Sequence, residues 1–267
     1  MLAFLPALVV PAAGRAPAWY LPGLNETVKA YSIGMGNSTA RETYLSESTY
    51  SGFAFSSISD KWTGRAPEQM FGYDRIHSSL LFSYMNNPVG GGSTFQMMYD
   101  YSYAPVWNAL HSSSQDLLLG PAGLGRLGVL YNEMNSNNPA TVEAYLSAGV
   151  YVDYTWRFSL GHHGYALQAS AGIPLLGIAF APDYDQPYWF MYNYDQFDKA
   201  LHMAWIGNNP ALNGQVAAVF PIRSGRLRVG YEFDYMRNRL GGNLTRITGS
   251  QLTIGFIYLF EQKRWLH

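Results

Sequence analysis

The residues with the most obvious chemical potential are His77 and Ser79, which lie two positions apart and precede Asn86 and Asn87. A histidine beside a serine suits nucleophilic catalysis, because the imidazole can take the hydroxyl proton and activate the oxygen. An extended strand, however, supplies no evident N–H donors to stabilise an oxyanion. We therefore predict that His77 and Ser79 are a polar pair without a catalytic role.

The segment 182–198, PDYDQPYWFMYNYDQFD, combines acidic and aromatic side chains. Aspartate carboxylates are hard ligands that suit Ca²⁺, but the D-x-D spacing lacks the rest of an EF-hand loop, so we predict no metal site. Aromatic rings are platforms for sugar rings or protein partners. Two interpretations stay open: a long extracellular loop or interfacial strand packed by its own aromatics, and a ligand or partner loop. The residues of such a binding loop would be Asp183, Tyr184, Asp185, Tyr188, Trp189 and Asp195.

Alternating apolar and polar residues indicate the elements that position these side chains. Within 225–236, every second residue from Leu227 to Tyr235 is apolar or aromatic, and the intervening positions include charged residues. A period of two is typical of a β-strand with two different faces. Similar signals lie near 73–85, 93–103, 144–158, 165–173, 215–222 and 251–260, with less regular ones at 49–61, 124–134 and 199–206. We predict about ten strands, or twelve if 28–36 and part of 175–192 also pair.

Composition indicates what surrounds these strands. Aromatic residues reach 16%, charged residues only 13%, and the chain has 27 glycines. Beyond the N-terminus no apolar run approaches the roughly 20 residues of a transmembrane helix. The apolar faces end in aromatic residues, as membrane girdles do, and the opposite faces have too little lysine for a soluble surface. We predict an all-β antiparallel transmembrane β-barrel, with a large soluble β fold as the alternative.

The N-terminus and the overall charge indicate where the protein is located and which classes of partner it has. Leu2 to Ala13 is apolar and Ala16-Pro17-Ala18 fits a cleavage site, so we predict an export signal over 1–18 and one barrel domain over 19–267. A net charge of −1 gives no basic excess for a nucleic-acid partner. We expect the Gram-negative outer membrane as the location and its lipid bilayer as the partner. Other envelope proteins are further candidate partners, and no cofactor is predicted.

The strand faces opposite the apolar ones carry charges that we assign to the lumen. Five arginines and four acids roughly balance, whereas an ion-selective pore would favour one sign. Balanced charges more readily cross-link the barrel wall through charge-assisted hydrogen bonds, with partners on adjacent strands. We predict a largely filled lumen, with a narrow channel as the alternative. This predicted lumen set is Arg75, Asp100, Arg126, Asp153, Arg157, Arg226, Arg228, Glu232 and Asp234.

The chain resembles bacterial outer-membrane β-barrel proteins over about residues 40–260. The last strand signal ends at Phe260 after alternate apolar residues, similar to the C-terminal signal that such barrels present to their assembly machinery. More narrowly, ETYLSESTYSG (42–52) and NSNNPA (135–140) look like a Bacteroidetes outer-membrane family known as a domain of unknown function. This resemblance implies a fold and a location, but no activity.

The spacing of His77 and Ser79 is similar to the His-x-Ser pair of outer-membrane phospholipase A, which hydrolyses lipids. In that family the pair must face the lipid, whereas here the same strand face carries Arg75 and Ser83 and indicates the lumen. We therefore predict a non-enzymatic structural or interaction protein, a subunit of an envelope complex. A narrow channel for small solutes and a barrel-type lipid-modifying enzyme are the alternatives.

Overall fold

The computed structural model describes residues 21–22, 26–66, 69–136, 138–183, 187–222 and 225–261. The export signal predicted over 1–18 lies outside these residues. Within them the chain forms eleven strands, one short α-helix and one 3₁₀-helix, Phe197–Ala200. The elements are β1 (Glu26–Glu42), β2 (Ser46–Gly64), β3 (Tyr73–Asn86), β4 (Ser93–His111), β5 (Gln115–Asn132), β6 (Ala140–Leu160), β7 (His163–Phe180), α1 (Tyr188–Tyr194), β8 (Leu201–Trp205), β9 (Ala211–Ile222), β10 (Gly225–Leu240) and β11 (Asn243–Glu261).

The strands form one closed antiparallel sheet. Each of β1 to β7 pairs with the next, β7 pairs with β9, and the order continues through β10 to β11. β11 then pairs with β1 along the whole of β1, which closes the sheet into a barrel without a free edge. The predicted all-β antiparallel barrel is confirmed.

The number of strand positions around the barrel is ten, because β8 and β9 share one. Leu201 to Trp205 pair with the last residues of β7, whereas Asn213 to Val219 pair with an earlier part of the same strand. The two strands are therefore collinear halves, separated by residues 206–210. The twelve-strand alternative is only half realised. Residues 28–36 do pair, as part of β1, whereas 175–192 adds no strand of its own, because it is divided between β7, its following loop and α1.

A hairpin at the α1 end illustrates how local sequence sets the connections. Only Gly241 and Gly242 separate β10 from β11, and both have positive φ, of 56° and 73°. A two-residue turn with positive φ at both positions matches the right-handed twist of the paired strands. Glycine is favoured here because it adopts these angles without a Cβ clash.

The barrel is apolar outside and largely polar inside at its middle. On β11, Leu252, Ile254 and Phe256 are exposed, while Gln251 and Thr253 between them are buried. This is the reverse of a soluble sheet, in which the apolar face is the buried one. No helix in the described ranges has the length and apolarity to cross a membrane.

Two apolar clusters lie inside the barrel, one towards each end. The end that carries α1 is called the helix end, and the other, where β1 begins, the opposite end. The helix-end cluster includes Tyr44, Met85, Met98, Leu130, Tyr145, Met236 and Ile247. The opposite-end cluster includes Val28, Trp62, Val106, Leu118, Tyr151, Val219 and Ile257.

Candidate functional site

A buried carboxylate on β2 is the centre of the charged zone between the two apolar clusters. The Asp60 carboxylate accepts hydrogen bonds from Arg75 Nη2 at 2.7 Å and from Arg228 Nη1 at 3.0 Å. His77 Nδ1 lies 2.9 Å from the same carboxylate. Three basic side chains from β3 and β10 therefore meet on one acid of β2. Charge-assisted bonds of this kind are stronger than neutral ones.

Hydrogen bonds extend this cluster to β7 and β6. Arg228 Nη2 donates to Gln168 Oε1 at 3.1 Å, and Gln168 Nε2 donates to Asp153 Oδ2 at 2.8 Å. The hydroxyl groups of Tyr151 and Thr155 also donate to Asp153, each at 3.1 Å. Neutral donors thus hold the Asp153 carboxylate, while Arg75 stacks over the Tyr151 ring at 4.2 Å from its centroid.

A second ion-paired cluster is built on Arg126 of β5. Its guanidinium donates twice to Asp100 on β4, at 2.6 Å and 3.0 Å, and once to Asp234 on β10, at 2.8 Å. Asn213 Nδ2 donates to the same Asp234 oxygen at 2.5 Å. The Asp234 bond crosses the lumen, because β5 and β10 lie on nearly opposite sides of the barrel.

The expectation that charges pair on adjacent strands is therefore only partly correct. Arg75 with Asp60, and Arg126 with Asp100, do join neighbouring strands. Arg228 with Asp60 joins β10 to β2, and Arg126 with Asp234 joins β5 to β10, and both pairs cross the lumen. A closed barrel brings distant strands face to face, which a strand-by-strand pattern does not reveal.

Two arginines of the predicted lumen set lie apart from these clusters. Arg157 forms an ion pair with Asp116 and donates to the Ser112 carbonyl at 2.8 Å. Arg226 Nη1 donates to the Gly164 carbonyl at 2.8 Å. Both groups lie at the connections of the opposite end, so they stabilise chain turns rather than the middle of the lumen.

Glu232 faces an internal cavity of about 120 Å³. Its carboxylate lies 4.0 Å from His77 Nε2. The cavity is lined by charged residues, including Glu232 and Arg126, and by the small residues Ser147 and Gly172. A polar cavity of this volume has room for several water molecules.

The His77 and Ser79 pair does not form a catalytic arrangement in this geometry. Both lie on the inner wall and line the cavity. The two imidazole nitrogens face acids, Nδ1 towards Asp60 and Nε2 towards Glu232. A general base has to hydrogen-bond the hydroxyl that it activates, and this imidazole is instead directed to carboxylates.

The 182–198 segment contains α1, which is anchored on one side and exposed on the other. The Tyr188 hydroxyl accepts the Val142 N–H at 2.7 Å, and Met191 is fully buried. Trp189 and Tyr192 remain 60% and 78% exposed. Asp195, in a left-handed conformation, ends the helix. Tyr184 and Asp185 lie outside the described residues.

Sequence reasoning missed Asp60 and Asp116, which pair with three of the predicted arginines. Asp60 follows Ile58 and precedes Trp62 on one buried face of β2, so the inner face there has no polar pattern. Asp116 is the second residue of β5 and lies several residues before the predicted strand signal at 124–134. No group of three or more His, Cys, Asp or Glu suited to a metal ion occurs in the described residues.

Comparison with known proteins identifies a family and a distant structural similarity. Residues 17–264 match the family described as "Protein of unknown function (DUF3316)". No match was found among curated proteins. The solved structure of a Pseudomonas aeruginosa FadL homologue is similar, with 8% sequence identity, a TM-score of 0.21 and coverage of 88% of this chain and 90% of that chain.

Proposed function

The chain belongs to the DUF3316 family, and we propose that it is an outer-membrane β-barrel with a closed lumen that acts through its surface. In this proposal the barrel anchors α1 at the cell surface, and α1 binds another envelope macromolecule. The observation that carries it is the presence of an apolar cluster inside each end of the barrel and of ion pairs that join distant strands between them.

The outer surface supports a membrane location. An uncharged apolar belt follows β1 from Tyr31 to Met35 and β11 from Leu252 to Tyr258. An exposed apolar surface of this extent, encircling the molecule, would promote aggregation of a soluble monomer. In a bilayer the same surface contacts lipid, and the closed sheet satisfies the backbone hydrogen bonds that lipid cannot.

Charged rows border the apolar belt at a spacing that fits a bilayer. At the opposite end, Lys29 and Lys61 pair in register on the outward face. At the helix end, Arg41, Arg246 and Arg237 form a row across β1, β11 and β10. Lys29 and Arg41 are twelve residues apart, which a strand tilted by about 35–45° converts to about 29–33 Å. The hydrocarbon core of a bilayer is about 30 Å thick.

The connections support an orientation with the helix end outside the cell. Outer-membrane barrels have short periplasmic turns and longer extracellular loops. The connection between β7 and β8, which contains α1, is the longest of the chain and lies at the helix end. This orientation also places the Arg41 row beside the outer leaflet.

The proposed surface role rests on the way α1 is held. Tyr188 contacts the Tyr44 ring edge-on at 6.0 Å and accepts a hydrogen bond from Val142 near the start of β6. An anchored helix presents Trp189 and Tyr192 at little cost in conformational entropy, and exposed aromatic side chains are enriched where proteins bind partners. We infer a macromolecular partner in the envelope, which makes the protein a complex subunit.

A bilayer recording tests the closed lumen. Purified protein reconstituted in planar bilayers is expected to give no conductance steps. A variant with Trp62→Ala and Leu130→Ala, which shortens one side chain in each apolar cluster, is the comparison. Wild-type steps with the same amplitude as those of the variant would favour the second candidate, a narrow solute channel, which the cavity of about 120 Å³ supports.

Cross-linking and co-purification test the surface role. Trp189→Ser with Tyr192→Ser is expected to remove the partner that wild-type barrel retains. Tyr131→Ser, on an outward aromatic residue of β5, is the matched control and should retain it. If the Trp189 and Tyr192 variant retains every partner of the wild type, α1 is not the binding surface.

A further inference from the structure

Two buried acids meet at the helix end, away from the charged zone of the lumen. Glu42 ends β1 and Glu143 lies near the start of β6, and both are buried. Their carboxyl groups are within hydrogen-bonding range of each other. In the part of the chain that the structure describes, neither carboxylate has a basic side chain within ion-pair distance. Arg126 is close enough to influence the Glu143 carboxyl electrostatically, but its guanidinium forms ion pairs with Asp100 and Asp234.

Neutral groups provide the hydrogen bonds that the two acids receive. The Thr245 hydroxyl and the Tyr44 N–H donate to Glu42, and the Tyr145 hydroxyl donates to Glu143. These donors stabilise single oxygens but bring no positive charge. Two adjacent buried carboxylates repel each other unless a proton or a cation lies between them.

Two asparagine oxygens in the same place lack hydrogen-bond donors. Asn243 Nδ2 donates to the Pro182 carbonyl at 2.8 Å, which fixes the orientation of its amide. Asn238 Nδ2 donates to the Tyr145 hydroxyl at 3.0 Å, whose own proton goes to a carboxylate, so this amide is fixed too. The two Oδ1 atoms are buried, on residues 3% and 8% exposed, and among the described residues neither has a donor.

The acids and the amide oxygens line one small cavity. Its volume is about 10 Å³, and Glu42, Glu143, Asn238, Asn243 and Thr245 all contribute to its wall. A space of this size holds about one atom or ion. Two acids without a basic partner and two unsatisfied oxygen acceptors around it favour a positively charged occupant.

We propose that this cavity binds one hard divalent cation of the Ca²⁺ class. Ca²⁺ takes six to eight oxygen ligands from carboxylates, carbonyls and waters and tolerates irregular geometry, whereas Mg²⁺ demands a near-ideal octahedron. Glu42 and Glu143 supply charged ligands, and the side-chain oxygens of Asn238 and Asn243 supply neutral ones. The cavity wall contains no histidine or cysteine that would favour a softer metal.

A cation at this position cross-links the barrel and holds the connection that leads to α1. Its ligands come from β1, β6, β10 and β11, and Asn243 is bonded to Pro182 of that connection. Cation binding therefore stabilises the four strand ends and the connection to α1 together. The site depends neither on the membrane location nor on the partner proposed above, so its failure leaves both intact.

Terbium luminescence tests the site directly. Tb³⁺ replaces Ca²⁺ in oxygen sites, and nearby tyrosines such as Tyr145 sensitise its emission. Full-length protein, refolded in uncharged detergent and stripped with EDTA, is expected to show one saturable Tb³⁺ site that Ca²⁺ displaces. Glu42→Gln with Glu143→Gln should weaken binding at least tenfold. Glu47→Gln, an exposed glutamate at the same end, is the matched control and should bind as wild type does.

Urea unfolding provides a second test of the cation site. The urea midpoint of the wild type should be higher in Ca²⁺ than in EDTA, and that difference should vanish in the double glutamine variant. Equal Tb³⁺ emission from the wild type and a correctly folded double variant would overturn the proposal. So would identical wild-type midpoints in Ca²⁺ and EDTA, because the acid pair would then hold a shared proton instead of a cation.

Discussion

Arg126 on β5 and Asp234 on β10 form an ion pair 2.8 Å long across the lumen, although they are 108 residues apart in the chain. The same guanidinium holds Asp100 on the neighbouring strand. One arginine inside the barrel therefore neutralises two acids on opposite sides of it. Such an ion pair resists widening of the lumen, because separation of the two walls would break its charge-assisted hydrogen bonds.

Removal of this arginine should be costly. Arg126→Ala leaves Asp100 and Asp234 without their shared cation, which should lower the free energy of unfolding by about 1–3 kcal/mol, because these carboxylates are partly buried. Urea unfolding of the refolded barrel measures the loss. Arg41→Ala, which breaks the exposed pair with Glu47, should cost no more than about 1 kcal/mol. Equal losses in the two variants would show that the lumen pair does not hold the walls together.

The fold could be predicted from the sequence because its signal is local. A period of two is visible in each strand separately, so most of the strands and the faces of residues 225–236 follow without tertiary information. The predicted number of ten agrees with the structure only because β1 is not among the ten and β8 and β9 are counted as two. The collinearity of β8 and β9 is different. It is defined only by their common partner β7, and two short strand signals look the same whether they lie side by side or end to end.

The candidate site was less predictable because the inner face is not uniformly polar. Trp62 and Tyr151 belong to an apolar cluster inside the barrel, yet in sequence they occupy the same face as charged residues. Asp60 lies on such a mixed face, and its partner Arg228 is on a strand that only closure of the barrel brings near. Likewise, the sequence does not show that the amide oxygens of Asn238 and Asn243 lack hydrogen-bond donors, because this depends on the three-dimensional packing around them.

The apolar belt gives a prediction about depth in the membrane. Val229, on the outward face of β10, is 41% exposed. Val229→Arg should lower the free energy of unfolding in lipid vesicles by about 2–4 kcal/mol, because a charge near the bilayer midplane is poorly solvated. Val89→Arg makes the same substitution in the turn between β3 and β4, where the side chain is 91% exposed, and should change stability little. A barrel that tolerates both substitutions equally would argue against lipid contact at Val229.

The anchoring of α1 depends on one hydroxyl group. β7 pairs with β6 only as far as Ala144, and beyond that point the Val142 N–H donates to Tyr188 instead of to a strand. Tyr188→Phe removes this acceptor, which should cost about 1–3 kcal/mol of local stability. Limited proteolysis of the connection containing α1 should accelerate accordingly. Tyr192→Phe, on an exposed ring of the same helix, is the control and should be cleaved at the wild-type rate.

The same tyrosine should make the helix end sensitive to alkaline pH. Burial raises the pKa of the Tyr188 hydroxyl above its usual value, because an ionised phenol is poorly solvated at this position. A raised pKa in the folded state means that the stabilisation is complete below about pH 10, the pKa of an exposed tyrosine, and is lost as pH rises through the higher folded-state value. The urea midpoint of the wild type should therefore fall above about pH 10 more steeply than that of Tyr188→Phe. Tyr192→Phe should follow the wild type, and parallel curves for all three proteins would show that Tyr188 ionises as freely as an exposed tyrosine.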